Sequence, residues 1–261
     1  MSLPPAKKSL GQHWLQDEES LKAICEAGRI GPDTVVLEIG PGPGTLTRLL
    51  TERAQRVIAV EVDAQLAAEL PRRIPADNLE VIVSDILRFN LSAMPSGYHV
   101  VANIPYYLTS NLIRVLSETP NPPQVVALLV QKEVAQRVCA QPGDMSLLSV
   151  TAQFYWRASL GKVVPARFFT PSPKIDSQIL ILTRRDTPLF DVDTKLFFQL
   201  VKAGFSERRK KLRSSLSGGL HIAKPAADAL LGRAGINPDL RAQSLALDDW
   251  HRLYLALAEA R

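Results

Sequence analysis

The sequence predicts an α/β protein built on a doubly wound parallel sheet, with a small all-helical domain at its C-terminus. Between residues 30 and 183, short apolar runs alternate with amphipathic stretches, which is the pattern of strands and crossover helices in βαβ units. After Arg184 and Arg185 the strand-like runs stop, and helix-like segments punctuated by glycine and proline follow. We therefore expect two domains, over residues 1–183 and 184–261.

Short apolar runs in the first domain predict the five strands of the parallel sheet. Turns and amphipathic stretches separate them, so right-handed crossovers would place them side by side. Two further β-rich runs, Phe154–Ala158 and Gln178–Thr183, would extend the sheet at its far edge. The five predicted strands are Thr34–Ile39, Arg56–Glu61, Leu79–Val83, Tyr98–Ala102 and Val125–Val130.

Amphipathic stretches predict helices in both domains. In the first domain they follow strands, and in the second they follow one another with Gly218-Gly219, Gly235 and Pro238 as breaks. The predicted helices are Leu46–Arg53, Asp63–Arg72, Ser110–Ser117, Glu133–Ala140, Thr194–Ala203, Lys210–Ser217, Pro225–Ala234 and Leu247–Ala260.

Composition narrows the class of protein. Apolar residues make up 46% of the 261 residues and charged residues 22%, which favours a folded core over a disordered chain. No run approaches the roughly 18 consecutive apolar residues of a membrane span, and no apolar run follows the lysines near the N-terminus, so we expect neither membrane anchor nor signal peptide. Cys25 and Cys139 lie outside any CxxC pattern and the histidines have no metal-ligand spacing, which predicts a cytoplasmic protein without a metal.

The positive charge is concentrated in the second domain. Residues 1–183 contain 17 basic and 17 acidic side chains, whereas residues 184–261 contain 14 and 9. If the densest basic cluster were helical, its side chains would cover more than one face of the helix. This favours contact with phosphates over a single row of solvated charges. The cluster consists of Arg208, Arg209, Lys210, Lys211 and Arg213.

A glycine-rich turn after the first strand marks a candidate nucleotide-type site. Gly40, Gly42 and Gly44 form the pattern GxGxG, where glycines let a ligand approach the backbone close to a helix N-terminus. The dinucleotide fingerprint is GxGxxG, so the turn fits a nicotinamide cofactor less well. On its own, this turn is weak evidence.

Polar residues at the ends of the next three strands strengthen the assignment. Glu61 ends the second strand, 21 residues after Gly40, where a carboxylate can accept hydrogen bonds from both ribose hydroxyls. Asp85 follows the third strand, where it can accept a hydrogen bond from an adenine amino group, and Asn103 ends the fourth strand. Alone, Glu61 fits an exposed strand end and Asp85 a helix cap. Since ligands of a doubly wound sheet bind at the carboxyl ends of strands, the whole set predicts a nucleoside cofactor.

The four residues Asn103–Tyr106 combine an amide, a rigid turn and an aromatic ring. Asn103 can accept a hydrogen bond through its side-chain oxygen, and Pro105 fixes the turn so that a backbone carbonyl can serve as a second acceptor. Tyr106 offers a face for stacking. An isolated match is typical of an ordinary strand-ending turn. Beside a cofactor loop, it predicts a site that grips a flat base by its amino group.

Six motifs occur in order, nearly from end to end of the chain. They are Gly11–Leu15, Leu37–Gly44, Asn103–Tyr106, Gln131–Ala135, Phe169–Ser177 and Phe205–Arg213. Together they resemble the ribosomal RNA adenine N6-dimethyltransferase family, of KsgA/RsmA type and related to the Erm methyltransferases. One departure is Met145-Ser146, where family members often carry Tyr-Gly. Since Ser tolerates positive φ less well than Gly, this change predicts an altered loop.

The resemblance implies a Rossmann-like sheet that binds S-adenosylmethionine and a helical C-terminal domain that binds RNA. Adenine N6 would attack the sulfonium methyl group while Asn103 and the backbone carbonyl of Ile104 or Pro105 hold its hydrogens, and the resemblance favours Pro105. The target base would stack on Tyr106 and Phe169. The implied cofactor contacts are His13, Leu15, Gly40, Gly42, Glu61, Asp85 and Asn103.

We therefore expect an enzyme that dimethylates two adjacent adenosines near the 3′ end of 16S RNA in the assembling small ribosomal subunit. It would act as a monomer, with the basic cluster on RNA phosphates. Three alternatives stay open: an Erm-type enzyme for large-subunit RNA, a non-catalytic RNA-binding assembly factor and a nicotinamide oxidoreductase. The complete basic motif disfavours the Erm-type enzyme, and the intact Asn103–Tyr106 motif disfavours the non-catalytic assembly factor. The GxGxG pattern disfavours the nicotinamide oxidoreductase.

Overall fold

The computed structural model describes residues 3–7 and 10–260. Lys8, one of the lysines near the N-terminus, and Arg261, the last residue of the predicted second domain, lie outside the described residues. The strands are β1 (Trp14–Leu15), β2 (Val35–Ile39), β3 (Arg56–Glu61), β4 (Leu79–Val83), β5 (His99–Asn103), β6 (Val125–Gln131), β7 (Trp156–Val164), β8 (Phe169–Thr170) and β9 (Ser177–Arg184).

The helices follow the predicted pattern, with strands and helices alternating first and helices alone among the described residues after β9. The α-helices are α1 (Glu18–Ala27), α2 (Thr45–Thr51), α3 (Ala64–Arg73), α4 (Thr109–Glu118), α5 (Lys132–Val138), α6 (Leu147–Tyr155), α7 (Thr194–Phe205), α8 (Leu212–Leu220), α9 (Lys224–Arg233) and α10 (Leu247–Ala258).

Seven strands form one sheet in the order β4-β3-β2-β5-β6-β9-β7, and β1 pairs with β8 in a separate two-stranded sheet. Strands β4, β3, β2, β5 and β6 are parallel to one another, whereas β9 is antiparallel to β6. This topology confirms the doubly wound α/β sheet, with the two additional strands at its far edge. From β2 the chain adds β3 and β4 on one side, and from β5 it adds β6 on the other side, so the switch point lies between β2 and β5. In such sheets, a ligand crevice lies at this switch point, beyond the carboxyl ends of the strands.

Burial explains the sequence pattern of the central strands. Residues 125–130 of β6 are at most 1% exposed, because neighbouring elements cover both faces of the strand. A strand buried on both faces reads as a continuous apolar run, which is why Val125–Val130 was easy to predict. Strand β4 lies at the sheet edge, where Val83 is 58% exposed.

The chain divides into two compact units. The first comprises Met1–Ala135 with Arg157–Arg184, and the second Gln136–Trp156 with Arg185–Arg261. The predicted boundary after residue 183 lies one residue from the third crossing between the units, which follows Arg184. The predicted first domain differs from the first unit, because the segment containing α6 belongs to the second unit.

Helix α6 was not predicted from the sequence. Its β-branched and aromatic residues suit a strand, and Phe154–Ala158 was predicted to be one, but β7 begins only at Trp156. A capping box begins α6, since the Ser149 N–H donates to Ser146 Oγ at 3.2 Å and the Ser146 N–H donates to Ser149 Oγ at 2.6 Å. Ser146 has a φ of −139°, so Ser in place of the usual Gly requires no left-handed backbone.

Each unit has its own hydrophobic core. In the first, Ile24 of α1 and Leu49 of α2 belong to a cluster that includes Val36 of β2. In the second, Phe154 of α6 stacks on Phe197 of α7, with ring centroids 5.0 Å apart. The C-terminal helices thus enclose apolar and aromatic side chains of their own, which explains why the amphipathic pattern after residue 184 predicted them well.

Candidate active site

A pocket of about 200 Å³ opens at the carboxyl ends of β2, β3, β4 and β5. The three polar residues predicted at strand ends, Glu61, Asp85 and Asn103, all line it, together with Gly40 and His13. The sequence therefore predicted correctly that these residues come together. Much of the remaining lining is apolar and comes from Ile39, Val60, Val62, Ile86, Leu87, Ile104 and Leu108.

Two glycines of the glycine-rich turn, Gly40 and Gly42, are required for different reasons. Gly40 has a φ of +65°, and a Cβ added there would meet nothing within 4 Å, so its backbone faces open space. Gly42 has a φ of +54°, and an added Cβ would lie 2.5 Å from Cζ3 of Trp14. Gly40 lines the pocket, whereas Gly42 is not among the lining residues. Gly42 thus makes room for the indole ring, and Gly40 leaves the pocket open.

Glu61 is only 4% exposed, and backbone N–H groups donate hydrogen bonds to both of its carboxyl oxygens. Its Oε2 accepts the Gly42 N–H at 3.1 Å, and its Oε1 accepts the Asp63 N–H at 3.0 Å. Burial raises the pKa of Glu61, against the lowering effect of these backbone hydrogen bonds. Asp85 is exposed, and its Oδ1 accepts the Leu87 N–H at 3.0 Å. Two carboxyl groups with fixed orientations therefore line the same pocket.

A second buried carboxyl group, Glu38, lies in β2 just before the glycine-rich turn. It is 1% exposed, and neither of its oxygens has a hydrogen-bond partner among the described residues. Burial raises the pKa of Glu38 to about 8, with the nearby Thr47 hydroxyl acting in the opposite direction. This side chain is not part of the pocket lining.

The Asn103 amide is oriented by the backbone of His13. Its Nδ2 donates to the His13 carbonyl at 3.2 Å, which leaves Oδ1 as an acceptor. The Pro105 carbonyl accepts the Leu108 N–H at 3.0 Å, whereas no described residue donates a hydrogen bond to the Ile104 carbonyl. A carbonyl oxygen can accept two hydrogen bonds, so the Pro105 oxygen keeps one of its two sites, whereas the Ile104 oxygen keeps both. This geometry favours the Ile104 carbonyl as second acceptor over the Pro105 carbonyl, which the resemblance favoured.

Tyr106 is half-buried at the pocket wall and is held at two places. Its hydroxyl lies 2.8 Å from Ser177 Oγ, and its ring is stacked with the His13 imidazole at 6.0 Å between centroids and 20° between planes. Burial raises the pKa of Tyr106. Tyr107 also lines the pocket but is 68% exposed.

Two predicted site residues have side chains outside the pocket. Leu15 and Phe169 are paired across β1 and β8, are 1% and 4% exposed, and belong to the core of the first unit. The structure thus gives the Phe169 ring no free face for a base, because core side chains surround it. Leu15 can reach a ligand only through its main chain. The same pairing brings His13 close to Pro171, whose carbonyl oxygen lies 2.6 Å from His13 Nδ1.

Comparison with known proteins identifies the family of this chain. A family model described as "Ribosomal RNA adenine dimethylase" matches residues 5–259. The chain belongs to this family. "Ribosomal RNA small subunit methyltransferase A" of Dehalococcoides mccartyi is 40% identical over 259 residues, covering 97% of this chain and 89% of the relative.

Two solved structures resemble the ribosomal RNA adenine dimethylase chain along most of its length. A dimethyladenosine transferase from Plasmodium falciparum has a TM-score of 0.80 at 25% identity and covers 94% of this chain and 97% of its own. The 23S rRNA methyltransferase ErmE has a TM-score of 0.75 at 29% identity and covers 94% of this chain and 99% of its own. The Rossmann-like methyltransferase sheet predicted from the resemblance is thereby confirmed.

As a ribosomal RNA adenine dimethylase, the protein is a methyltransferase whose cofactor is S-adenosylmethionine. The pocket fits this cofactor, because it combines the open backbone at Gly40, the fixed carboxyl groups of Glu61 and Asp85, and apolar walls suited to a flat base. Among residues 3–7 and 10–260, no group of three His, Cys, Asp or Glu side chains could hold a metal ion. In the same ranges, no helix is long and apolar enough to cross a membrane.

Most of the basic cluster of this dimethylase lies between α7 and α8, whereas Arg213 lies in α8. The structure corrects the prediction of a helix from Lys210, because α7 ends at Phe205 and α8 begins at Leu212. Arg208, Arg209 and Lys210 are exposed and form no ion pair with a described residue. Helical spacing therefore cannot explain the arrangement of these charges, and the turn itself presents them to solvent.

The last two basic residues of the cluster have acidic partners. Lys211 Nζ lies 3.2 Å from Asp239 Oδ1, and the Arg213 guanidinium also pairs with Asp239. Arg213 further approaches Asp228 at 3.8 Å. These ion pairs separate Lys211 and Arg213 from the three unpaired cations before them.

Sequence reasoning missed two residues that shape the dimethylase pocket. Trp14 lines the pocket and fills the space beside Gly42, but the sequence analysis included it only as part of the motif Gly11–Leu15. Ser177 contacts the Tyr106 hydroxyl from a position 71 residues further along the chain. Because that contact depends on the pairing of β9 with β6, no local pattern could have revealed it.

Proposed function

We propose that this enzyme dimethylates N6 of two adjacent adenosines near the 3′ end of small-subunit (16S) ribosomal RNA. The observation that carries the proposal is the Asn103 amide, oriented by the His13 carbonyl with its oxygen unengaged, at the wall of a pocket that fits S-adenosylmethionine. The name of the Dehalococcoides mccartyi relative supports the choice of the small subunit.

The proposed task of Asn103 and Ile104 is to hold the two hydrogens of the adenine amino group. An aromatic amine is a poor nucleophile, since its lone pair is delocalised into the ring. Two fixed acceptors favour a pyramidal nitrogen whose lone pair points in one direction, and such positioning contributes to the rate. Pro105 contributes by fixing the turn. No strong general base is required, because the nitrogen becomes acidic as it is methylated.

Tyr106 is the proposed stacking surface for the target base. A base that leaves its stack loses stacking energy, and an aromatic ring recovers about 1–3 kcal/mol of it. Because Phe169 is buried in the core, the proposal assigns this task to Tyr106 without a second ring. After the first transfer the amine has only one hydrogen left, so the second transfer depends more on stacking.

The proposed cofactor contacts are His13, Gly40, Glu61, Asp85 and Asn103 from the pocket. Glu61 would accept hydrogen bonds from the ribose hydroxyls, and Asp85 from the adenine amino group. Gly42 would act by supporting the loop and Leu15 through its main chain. When bound, S-adenosylmethionine supplies the methyl group.

We further propose that residues 184–261 bind RNA phosphates, chiefly through Arg208, Arg209 and Lys210. Lys211 and Arg213 belong to the proposed surface, but their pairing with Asp239 reduces their share. The enzyme would act as a monomer in the cytoplasm, on RNA within an assembling small subunit. The shape of that RNA would guide recognition more than its sequence.

Labelled S-adenosylmethionine tests the choice of substrate. The purified protein would be incubated separately with undermethylated small subunits and with large-subunit RNA. We expect label in the small subunit only. Label in large-subunit RNA alone would favour an Erm-type function, for which the likeness to ErmE is the specific observation. RNA binding without any transfer would favour the non-catalytic assembly factor.

A further inference from the structure

Ser177 lies behind Tyr106 and has a fixed position in the sheet. It is the first residue of β9, is 0% exposed, and is in register with Gln131 at the end of β6. Its neighbour Asp176 is bonded twice, since its carbonyl accepts the Lys132 N–H at 3.0 Å and its Oδ1 accepts the Ala166 N–H at 2.9 Å. The Ser177 hydroxyl is therefore a rigid point of attachment.

The Tyr106 hydroxyl is bonded to this point at 2.8 Å. Tyr106 itself lies on a short 3-10 turn after β5, and a half-buried aromatic ring on a turn can otherwise rotate about its side-chain bonds. The hydrogen bond to Ser177 holds the far end of the ring, and the His13 imidazole lies nearly parallel to it. Together these contacts fix the plane of the ring before any base arrives.

We propose that Ser177 is a positioning residue that holds the Tyr106 ring in the orientation required to stack the target adenine, and that it governs the second methyl transfer more than the first. The inference rests on the proposed function of Tyr106. A ring already held in place loses less side-chain entropy when a base stacks on it. N6-methyladenine offers one hydrogen fewer to Asn103 and Ile104, so its placement depends more on the ring.

The substitution Ser177→Ala removes the hydroxyl with almost no change in volume. We expect a several-fold rise in the ratio of monomethylated to dimethylated adenosine at equal extents of reaction, with the affinity for S-adenosylmethionine unchanged. Ser177→Thr keeps a hydroxyl and should restore most of the wild-type ratio. Ser20→Ala is a matched control, because Ser20 is also 0% exposed but bonds to Asp17 at the start of α1.

A double-mutant cycle shows whether Ser177 acts through Tyr106. Tyr106→Phe removes the other end of the same hydrogen bond, so it should raise the ratio as much as Ser177→Ala does. The double variant should match either single variant, because the bond can be lost only once. Additive effects, an unchanged ratio in Ser177→Ala, or a parallel loss of cofactor affinity would overturn the proposal.

Nuclear magnetic resonance of tyrosine ring-labelled protein tests the geometry without RNA. The hydroxyl oxygen lies on the axis of ring flipping, so the motion that the bond to Ser177 limits is that of the ring axis itself. We expect the order parameter of the Tyr106 ring axis to fall in Ser177→Ala and to keep its wild-type value in Ser20→Ala. An unchanged order parameter in Ser177→Ala would refute the positioning role even if the enzyme were active. Absence of any adenosine methylation by the wild type, with the order parameter altered as expected, would refute the proposed function and leave the attachment of the ring established.

Discussion

The pocket of the first unit and the basic turn of the second differ in how their functional groups are held. In the pocket, Glu61, Asn103 and Tyr106 each have at least one hydrogen bond to a specified partner. On the turn, Arg208 and Arg209 are exposed and have no ion-pair partner among the described residues. The pocket is organised before its ligands bind, whereas the turn offers charge without fixed geometry. Substitutions should therefore have large, specific effects in the pocket and smaller, salt-dependent effects on the turn.

The largest effect is expected from Asn103→Ala. Loss of one of two fixed acceptors should lower kcat by about 10²–10³-fold, by analogy with the loss of one preorganised hydrogen-bonding group in other enzymes. RNA affinity should change little. Single-turnover transfer from labelled cofactor measures the rate. Asn121→Ala is the matched control, since Asn121 is also partly buried and donates to a backbone carbonyl, that of Met94, at 2.8 Å. Full activity of Asn103→Ala would refute the proposed role.

Glu61→Gln should reduce the affinity for S-adenosylmethionine by roughly 10–100-fold, because a hydrogen bond to a charged group is worth about 1.5–3 kcal/mol. The amide also disturbs the two backbone hydrogen bonds that the carboxylate accepts from Gly42 and Asp63. Isothermal calorimetry measures the affinity for S-adenosylmethionine, and a separate titration with NAD tests the nicotinamide alternative. Glu52→Gln, at an exposed ion pair, serves as the control. Equal affinities for Glu61→Gln and wild type would contradict the assignment.

Replacing Arg208, Arg209 and Lys210 together with alanine should weaken RNA binding most at low salt. Each phosphate contact contributes about 0.7–0.9 to the slope of log affinity against log salt, so the slope should fall by roughly 2 to 3. Replacing Lys211 and Arg213 should change the slope less, since both have acidic partners. Filter binding over a salt series compares the two variants. Equal slopes for both would show that ion pairing does not divide the cluster.

Glu38→Gln should affect stability and not RNA binding. The pKa of Glu38 is raised from 4.5 to about 8, so between these pH values the folded protein keeps a proton that the unfolded chain releases. The stabilising contribution is therefore complete below about pH 4.5 and is lost as the pH rises through 8, at up to about 1.4 kcal/mol per pH unit. Urea unfolding at several pH values should show a flatter pH dependence in Glu38→Gln. The same slope in both proteins would mean that Glu38 is ionised in the folded state.

Much of the pocket could be predicted from the sequence because its residues follow a regular rule. Glu61 and Asn103 end strands, and Asp85 comes just after one, so strand prediction alone brings them to one edge of the sheet. Helix α1 is absent from the predicted helices, although the sequence around Cys25 is helix-like and the signals of α1 are local. Asp17 caps its first turn, and Leu21, Ile24 and Cys25 repeat at helical spacing.

Features that depend on contacts between distant segments could not be predicted. The burial of Phe169 follows from its pairing with Leu15, and the attachment of Tyr106 from the register of β9. The prediction of helical spacing was wrong for Arg208, Arg209 and Lys210, because a turn separates α7 from α8, whereas Arg213 does lie in α8. Residues held by long-range contacts are thus the ones for which the structure changed the interpretation.

Mass-spectrometric mapping of methylated adenosines tests the central claim most directly. Undermethylated small subunits would be treated with the protein and S-adenosylmethionine, and their RNA digested and sequenced by mass. We predict two adjacent N6,N6-dimethyladenosines near the 3′ end of 16S RNA with the wild type, and neither with Asn103→Ala. Methylation elsewhere, at a base other than adenine, or at the same two adenosines in Asn103→Ala would contradict the account.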